Sequence, residues 1–110
     1  MSRQNLTTFG ERIRKLREEH GLPQRKVAAQ LDIDTSLLAK YERNKRHPSK
    51  ELITKIAEFF KIDPSELVDE MLSDKIAYQI IEEEADTKIL RVAETKVEYL
   101  KQQDISKILK

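Results

Sequence analysis

Apolar and polar positions alternate along this chain with the period of an α-helix, in segments too short for anything but small helices. From Thr8 to His20, Phe9, Ile13 and Leu16 fall on one face at spacings of four and three. Thr8-Phe-Gly-Glu11 has the form of a capping box, Gly21 suits the left-handed residue that ends a helix, and Pro23 blocks continuation. The pattern therefore predicts a first helix over about 8–20. Val27, Ala28 and Leu31 form a second stripe of only two turns, closed by Asp32-Ile33-Asp34. Asp34 is a suitable N-cap for a third helix from Thr35 to about Arg43, facing inward through Leu38 and Tyr41, with Asn44 as the left-handed terminator. Pro48 and Ser49 open a fourth, with Leu52, Ile53, Ile56, Ala57, Phe59 and Phe60 as its apolar side. Asp63-Pro-Ser-Glu66 combines cap, first-position proline and capping-box glutamate, and predicts a fifth helix carrying Leu67, Val68 and Met71 and ending near residue 70.

Five short helices with short connections can close a core without a strand, so the fold class is all-α, with a bundle over residues 8–70. Beyond Leu72 the pattern changes. No Gly or Pro follows Pro64, and Ser73 is placed to cap one long amphipathic helix over 73–110. Its face runs through Ile76, Ile80, Ile81, Ala85, Ile89, Val92 and Tyr99, widened by Leu90, Ala93, Val97 and Leu100. Tyr78, Ala85, Val92 and Tyr99 recur every seven residues, but Lys88 and Thr95 interrupt the companion seam. A helix this apolar, attached to a complete bundle, is expected to pack on something: a second copy, its own bundle or another protein. Ile81, Ala85, Ile89, Val92 and Tyr99 are its candidate dimerisation residues. The stretch Gln103 to Lys110 is expected to fray despite Ile105, Ile108 and Leu109.

Composition narrows the function. The 110 residues contain no Cys, which excludes a disulfide scaffold, a cysteine nucleophile and a thiolate metal site. The two histidines, His20 and His47, lack metal-ligand spacing, and no Gly-rich phosphate loop is present; an enzyme and a bound cofactor are not expected. No apolar run exceeds three residues, and the first residues lack a signal peptide's apolar core, so the expectation is a cytoplasmic protein without a membrane partner. The net charge of +1 conceals a division: residues 1–62 hold 14 Lys/Arg against 8 Asp/Glu, and residues 63–110 hold 7 against 12. A basic first part suits a polyanion, and an acidic second part suits another task.

Two short helices joined by Asp32-Ile33-Asp34, with cations just after the second, form a helix-turn-helix. The set Gly21-Leu22-Pro23-Gln24, Val27-Ala28, Leu31-Asp32-Ile33, Leu38, Tyr41-Glu42-Arg43-Asn44 and Pro48 resembles the Cro/C1, or Xre-type, helix-turn-helix regulators. It departs from their pattern at Pro23, where a Ser or Thr cap is usual, and at Asn44, where Gly is common. The resemblance implies a lambda-repressor-like bundle that binds double-stranded DNA, with the third helix in the major groove. Carried over, it puts Thr35, Ser36 and Lys40 on the groove-facing side, and helical spacing agrees, since Leu38 and Tyr41 occupy the opposite arc. Lys40 can donate to guanine O6 or N7, and the hydroxyls can reach a base edge or phosphate. The resemblance also implies that Gln24 fixes the backbone beside these contacts and meets a phosphate; Arg43, Lys45 and Arg46 suit phosphate positioning. Arg17 and Glu42 fall where the family has a structural ion pair. Family members read two half-sites as dimers, which makes self-association through the C-terminal helix the leading reading and a transcriptional repressor or autoregulator the leading function. An antitoxin, whose C-terminal helix would neutralise a toxin protein, and a restriction-modification controller protein remain as alternatives.

Overall fold

The computed structural model, which describes residues 6–103, contains six α-helices: α1 (Phe9–Glu19), α2 (Gln24–Leu31), α3 (Thr35–Glu42), α4 (Lys50–Phe60), α5 (Pro64–Glu82) and α6 (Ile89–Gln102). No strand occurs among the described residues. The all-α architecture, a five-helix bundle followed by a sixth helix, is the one the apolar spacing predicts. Residues up to Lys75 form one compact unit, and those from Ile76 form a second.

The helix starts follow their side chains in two cases and not in a third. Thr8 Oγ1 accepts from the Glu11 amide at 3.2 Å, while the Glu11 carboxylate accepts from the Thr8 amide at 3.0 Å, completing a reciprocal capping box. Ser49 caps α4 through Leu52 N at 3.1 Å. Asp34 stands at the N-cap of α3 in extended conformation, but its side chain makes no capping hydrogen bond.

The helix ends explain how a chain with two glycines turns so often. α1, α2, α3, α4 and α5 all close through a left-handed residue: Gly21, Asp32, Asn44, Lys61 and Glu84, with φ between 52° and 65°. Each closure has the paired bonds of a Schellman motif, as in Leu22 N to Arg17 O (3.1 Å) with Gly21 N to Glu18 O (3.0 Å). Four of the five left-handed residues carry a side chain, at a steric cost that the backbone bonds and packing offset.

Phe9, Ile13, Val27, Ala28, Leu31, Leu38, Tyr41, Ile53, Ile56, Ala57, Phe60, Leu67 and Met71 make one core, drawn from α1 through α5. Burying each of the larger side chains contributes about 1.5–3 kcal/mol. Two polar residues share this interior, Glu42 and Asp74.

The boundaries of the last two helices differ from the sequence expectation. α5 does not stop near residue 70 but runs on to Glu82, and Ser73 lies inside it, with its hydroxyl donating back to Glu70 O at 2.9 Å rather than capping a new helix. The break falls instead at Glu83–Lys88. Glu84 turns left-handed at φ 52°, and Asp86 accepts the Lys88 amide at 2.8 Å. Short polar side chains such as Asp86 offer the backbone an alternative partner, so the segment leaves the helix without Gly or Pro. The seven-residue repeat of Tyr78, Ala85, Val92 and Tyr99 consequently spans two helices and a turn, and traces no single seam. Ile105, Ile108 and Leu109 lie outside the described residues. No helix among those described is long and apolar enough to cross a membrane.

Candidate nucleic-acid interface

α3 is amphipathic in the sense a reading helix requires. Leu38 and Tyr41 are buried on one side, and Thr35, Ser36 and Lys40 are exposed on the other. α1 and α2 both pack against α3, and α2 also against α4, which leaves the polar side of α3 facing outward. The two hydroxyls stand in its first turn, and Lys40 follows Ser36 by one turn. Immediately after it, Arg43, Lys45 and Arg46 are all exposed. The loop that carries them is fixed by the Asn44 closure, with Lys45 N to Lys40 O at 2.8 Å and Asn44 N to Tyr41 O at 3.1 Å. Seven positions in sequence thus present four cations and an ordered backbone on one side of the unit. Cations on long stems suit phosphates, and the first-turn hydroxyls suit base edges or phosphates at closer range.

Behind this surface lies a charged joint. The Arg17 guanidinium meets the Glu42 carboxylate through Nε to Oε2 at 2.6 Å and Nη2 to Oε1 at 3.0 Å, and its Nη1 donates to Leu22 O at 2.9 Å. Both side chains are largely removed from water, 12% and 3% exposed. The hydrogen bonds from Arg17 to Glu42, with the carboxylate's attraction, hold the guanidinium above its ordinary pKa despite burial. Gln24 belongs to this joint as well, since its Nε2 donates to Glu42 Oε1 at 2.9 Å. Its amide nitrogen therefore has a protein partner, and the side chain locks the first turn of α2 onto the last turn of α3. Arg14, Arg17, Gln24, Glu42 and Arg43 line a shallow cavity of about 220 Å³ beside it.

The contacts of Gly10, Asn44 and Asp74 escape a reading of the sequence, although Asn44 is foreseen as the left-handed end of α3. Gly10 lies where a Cβ would collide with Tyr41 O and come within 2.6 Å of Glu42 O and Asn44 Oδ1, so the first turn of α1 touches the backbone end of α3. A glycine inside a helix, where it is disfavoured, is the one local signal of that approach. Asn44 accepts from Gly10 N at 2.9 Å and donates to Thr8 Oγ1 at 2.8 Å. Asp74 accepts from Phe9 N at 2.6 Å, and nothing near it in sequence announces this. Arg12 bridges to Glu66 (3.2 Å) and Glu70 (3.1 Å) on α5, and these bonds raise its pKa against the desolvation that is the largest single influence.

A bundle of short helices that offers the polar face of its third helix, flanked by cations, is the architecture of a helix-turn-helix DNA-binding domain. A helix-turn-helix family model of the Cro/C1 type matches residues 13–67, half of the chain, and the protein belongs to this Xre-type family of DNA-binding transcriptional regulators. Among solved structures, the restriction-modification controller protein C.AhdI from Aeromonas hydrophila is 39% identical, over 54% of this chain and 89% of that one, at a TM-score of 0.50. The clp gene regulator ClgR from C. glutamicum is 20% identical, over 60% of this chain and 86% of that one, at 0.51. A chain of the SinR–SinI protein complex is 22% identical, over 86% of this chain and 99% of that one, at 0.52. The last two likenesses are of fold. None of the curated proteins matches the chain.

Proposed function

We propose that the protein is a cytoplasmic, sequence-specific transcriptional repressor that regulates its own gene as a homodimer on a two-half-site operator. The observation that carries the reading is the exposed polar side of α3, which presents Thr35, Ser36 and Lys40, with Arg43, Lys45 and Arg46 exposed at its end; side chains of these kinds suit base edges and phosphates. Gln24 acts from behind, holding α2 to α3 through Glu42. Residues 8–70 are the DNA-binding domain in this reading, and residues 73–110 supply the joint between protomers. For the joint, α6 offers Ile89, Val92 and Tyr99 exposed by 43%, 53% and 58%, while Ile81 is exposed on the last turn of α5 and Ala85 is half-buried in the turn after it. Apolar surface of this extent on a short helix favours burial against a partner, and a symmetric joint suits two half-sites about one DNA turn apart, roughly 34 Å.

The 39% identity to a restriction-modification controller protein favours a second, narrower reading, in which the regulated genes encode such a system. Both readings are tested by fluorescence anisotropy at about 150 mM salt, where non-specific binding is micromolar or weaker. The duplex upstream of the chain's own gene, and that upstream of any adjoining restriction or methyltransferase gene, are compared with scrambled duplexes. The autoregulator reading predicts at least a thousandfold preference for the first duplex, with two protomers bound. Equal, weak binding to all duplexes contradicts it, and preference for the second duplex alone replaces it with the controller reading.

A further inference from the structure

The N-terminal turn of α1 has four amide donors with no partner within the helix, and all four are taken. Glu11 N goes to Thr8 Oγ1 and Thr8 N to the Glu11 carboxylate, as a capping box arranges locally. The other two go to distant parts of the chain. Phe9 N donates to Asp74 on α5 at 2.6 Å, and Gly10 N donates to Asn44, just past the end of α3, at 2.9 Å. Asn44 also donates to the Thr8 cap. One helix end therefore joins α5 to the exit of the recognition helix through bonds on consecutive amides, with Phe9 and Gly10 buried between them.

We propose that Asn44 and Asp74 are positioning residues for DNA binding. Asn44 fixes the backbone on which Arg43, Lys45 and Arg46 stand, because its left-handed φ of 61° and its two side-chain bonds tie that turn to α1. Asp74 holds the α1 turn from the opposite side, so that Gly10 N stays aimed at Asn44. Neither residue touches DNA in this account. Cations on a fixed turn meet phosphates in register, whereas the same cations on a loose turn must first be ordered, at an entropic cost that weakens binding. The inference rests on the reading of Arg43, Lys45 and Arg46 as phosphate-binding cations.

The test measures binding of the full chain to a duplex of arbitrary sequence across a salt series, at a temperature where circular dichroism shows every variant folded. A Lys45→Ala/Arg46→Ala variant checks the underlying reading, since removing one phosphate-neutralising cation flattens the log–log salt slope by about 0.9. Asn44→Gly keeps a residue at ease with positive φ and removes both side-chain bonds. It is expected to weaken binding about tenfold and to flatten the slope by about 1 to 2. Asp74→Ala and Asp74→Asn remove the same charge, but only Asn retains an acceptor for Phe9 N. Asp74→Ala should therefore bind several-fold more weakly than Asp74→Asn, a difference that long-range charge cannot produce. If the Lys45/Arg46 variant keeps the wild-type slope, the phosphate reading fails and takes the inference with it. If that variant flattens the slope while folded Asn44→Gly binds like wild type, the inference alone is overturned. Should Asn44→Gly not fold, the Asp74 pair decides, and equal binding by its two members overturns the proposal.

Discussion

At the scale of single residues, the ion pair of Arg17 and Glu42 ties the end of α3 to α1. Glu42 is 6% exposed and takes three hydrogen bonds, two from Arg17 and one from Gln24. Removing Arg17 leaves a buried carboxylate with only the Gln24 amide, a situation that costs about 3 kcal/mol. Arg17→Ala is therefore expected to lower Tm by roughly ten degrees or more, as thermal circular dichroism would read. The raised pKa of Arg17 places any loss of the pair on the guanidinium's side well above physiological pH. Stability should thus not fall between pH 7 and 9 through Arg17. The Arg17–Glu42 pair is legible through the resemblance to the Xre-type family, which places an ion pair there, whereas the bond from Gln24 to Glu42 is not. The side-chain bonds of Asn44 and Asp74 to α1 and its cap are not legible either, because their partners lie 34 to 65 residues away and nothing in the pattern of apolar positions encodes a hydrogen bond across that distance.

At the scale of elements, apolar stripes and helix-ending residues locate the first four helices to within two residues, even where, as at α2 and α3, no side chain caps the start. The end of α5 is where that logic runs out. Absence of Gly and Pro after Pro64 reads as continuity, yet four of the five left-handed closures among the described residues use other residues: Asp32, Asn44, Lys61 and Glu84. Asp86 was the available signal, a short acid able to take an amide two residues on. The break leaves α6 as a separate amphipathic helix, with Leu90, Ala93, Val97 and Leu100 at spacings of three, four and three. Leu90, Val97 and Leu100 are exposed by 40% to 49%. If this helix joins two protomers through the residues proposed above, Val92→Glu/Tyr99→Glu should convert a dimer to a folded monomer in sedimentation or light scattering. A variant that remains dimeric would move the joint elsewhere.

At the scale of the molecule, charge divides near residue 62, within the first compact unit, and not at the boundary between the units after Lys75. The basic side chains of the first 62 residues include the four cations at and after the end of α3, and the acidic excess after residue 63 includes Glu82, Glu83 and Glu84 where α5 ends. Acidic groups there discourage that part of the chain from lying on DNA. The central claim is that the outer side of α3 reads sequence, and it is tested most directly by a triple variant, Thr35→Ala/Ser36→Ala/Lys40→Ala. Its affinity would be measured on the preferred duplex and on a scrambled one at fixed salt. The account predicts that the specific affinity collapses toward the non-specific value, with a loss of at least tenfold in the ratio between the two, while the melting temperature stays near wild type because all three side chains are exposed. An unchanged ratio, with both affinities intact or both reduced alike, would contradict it.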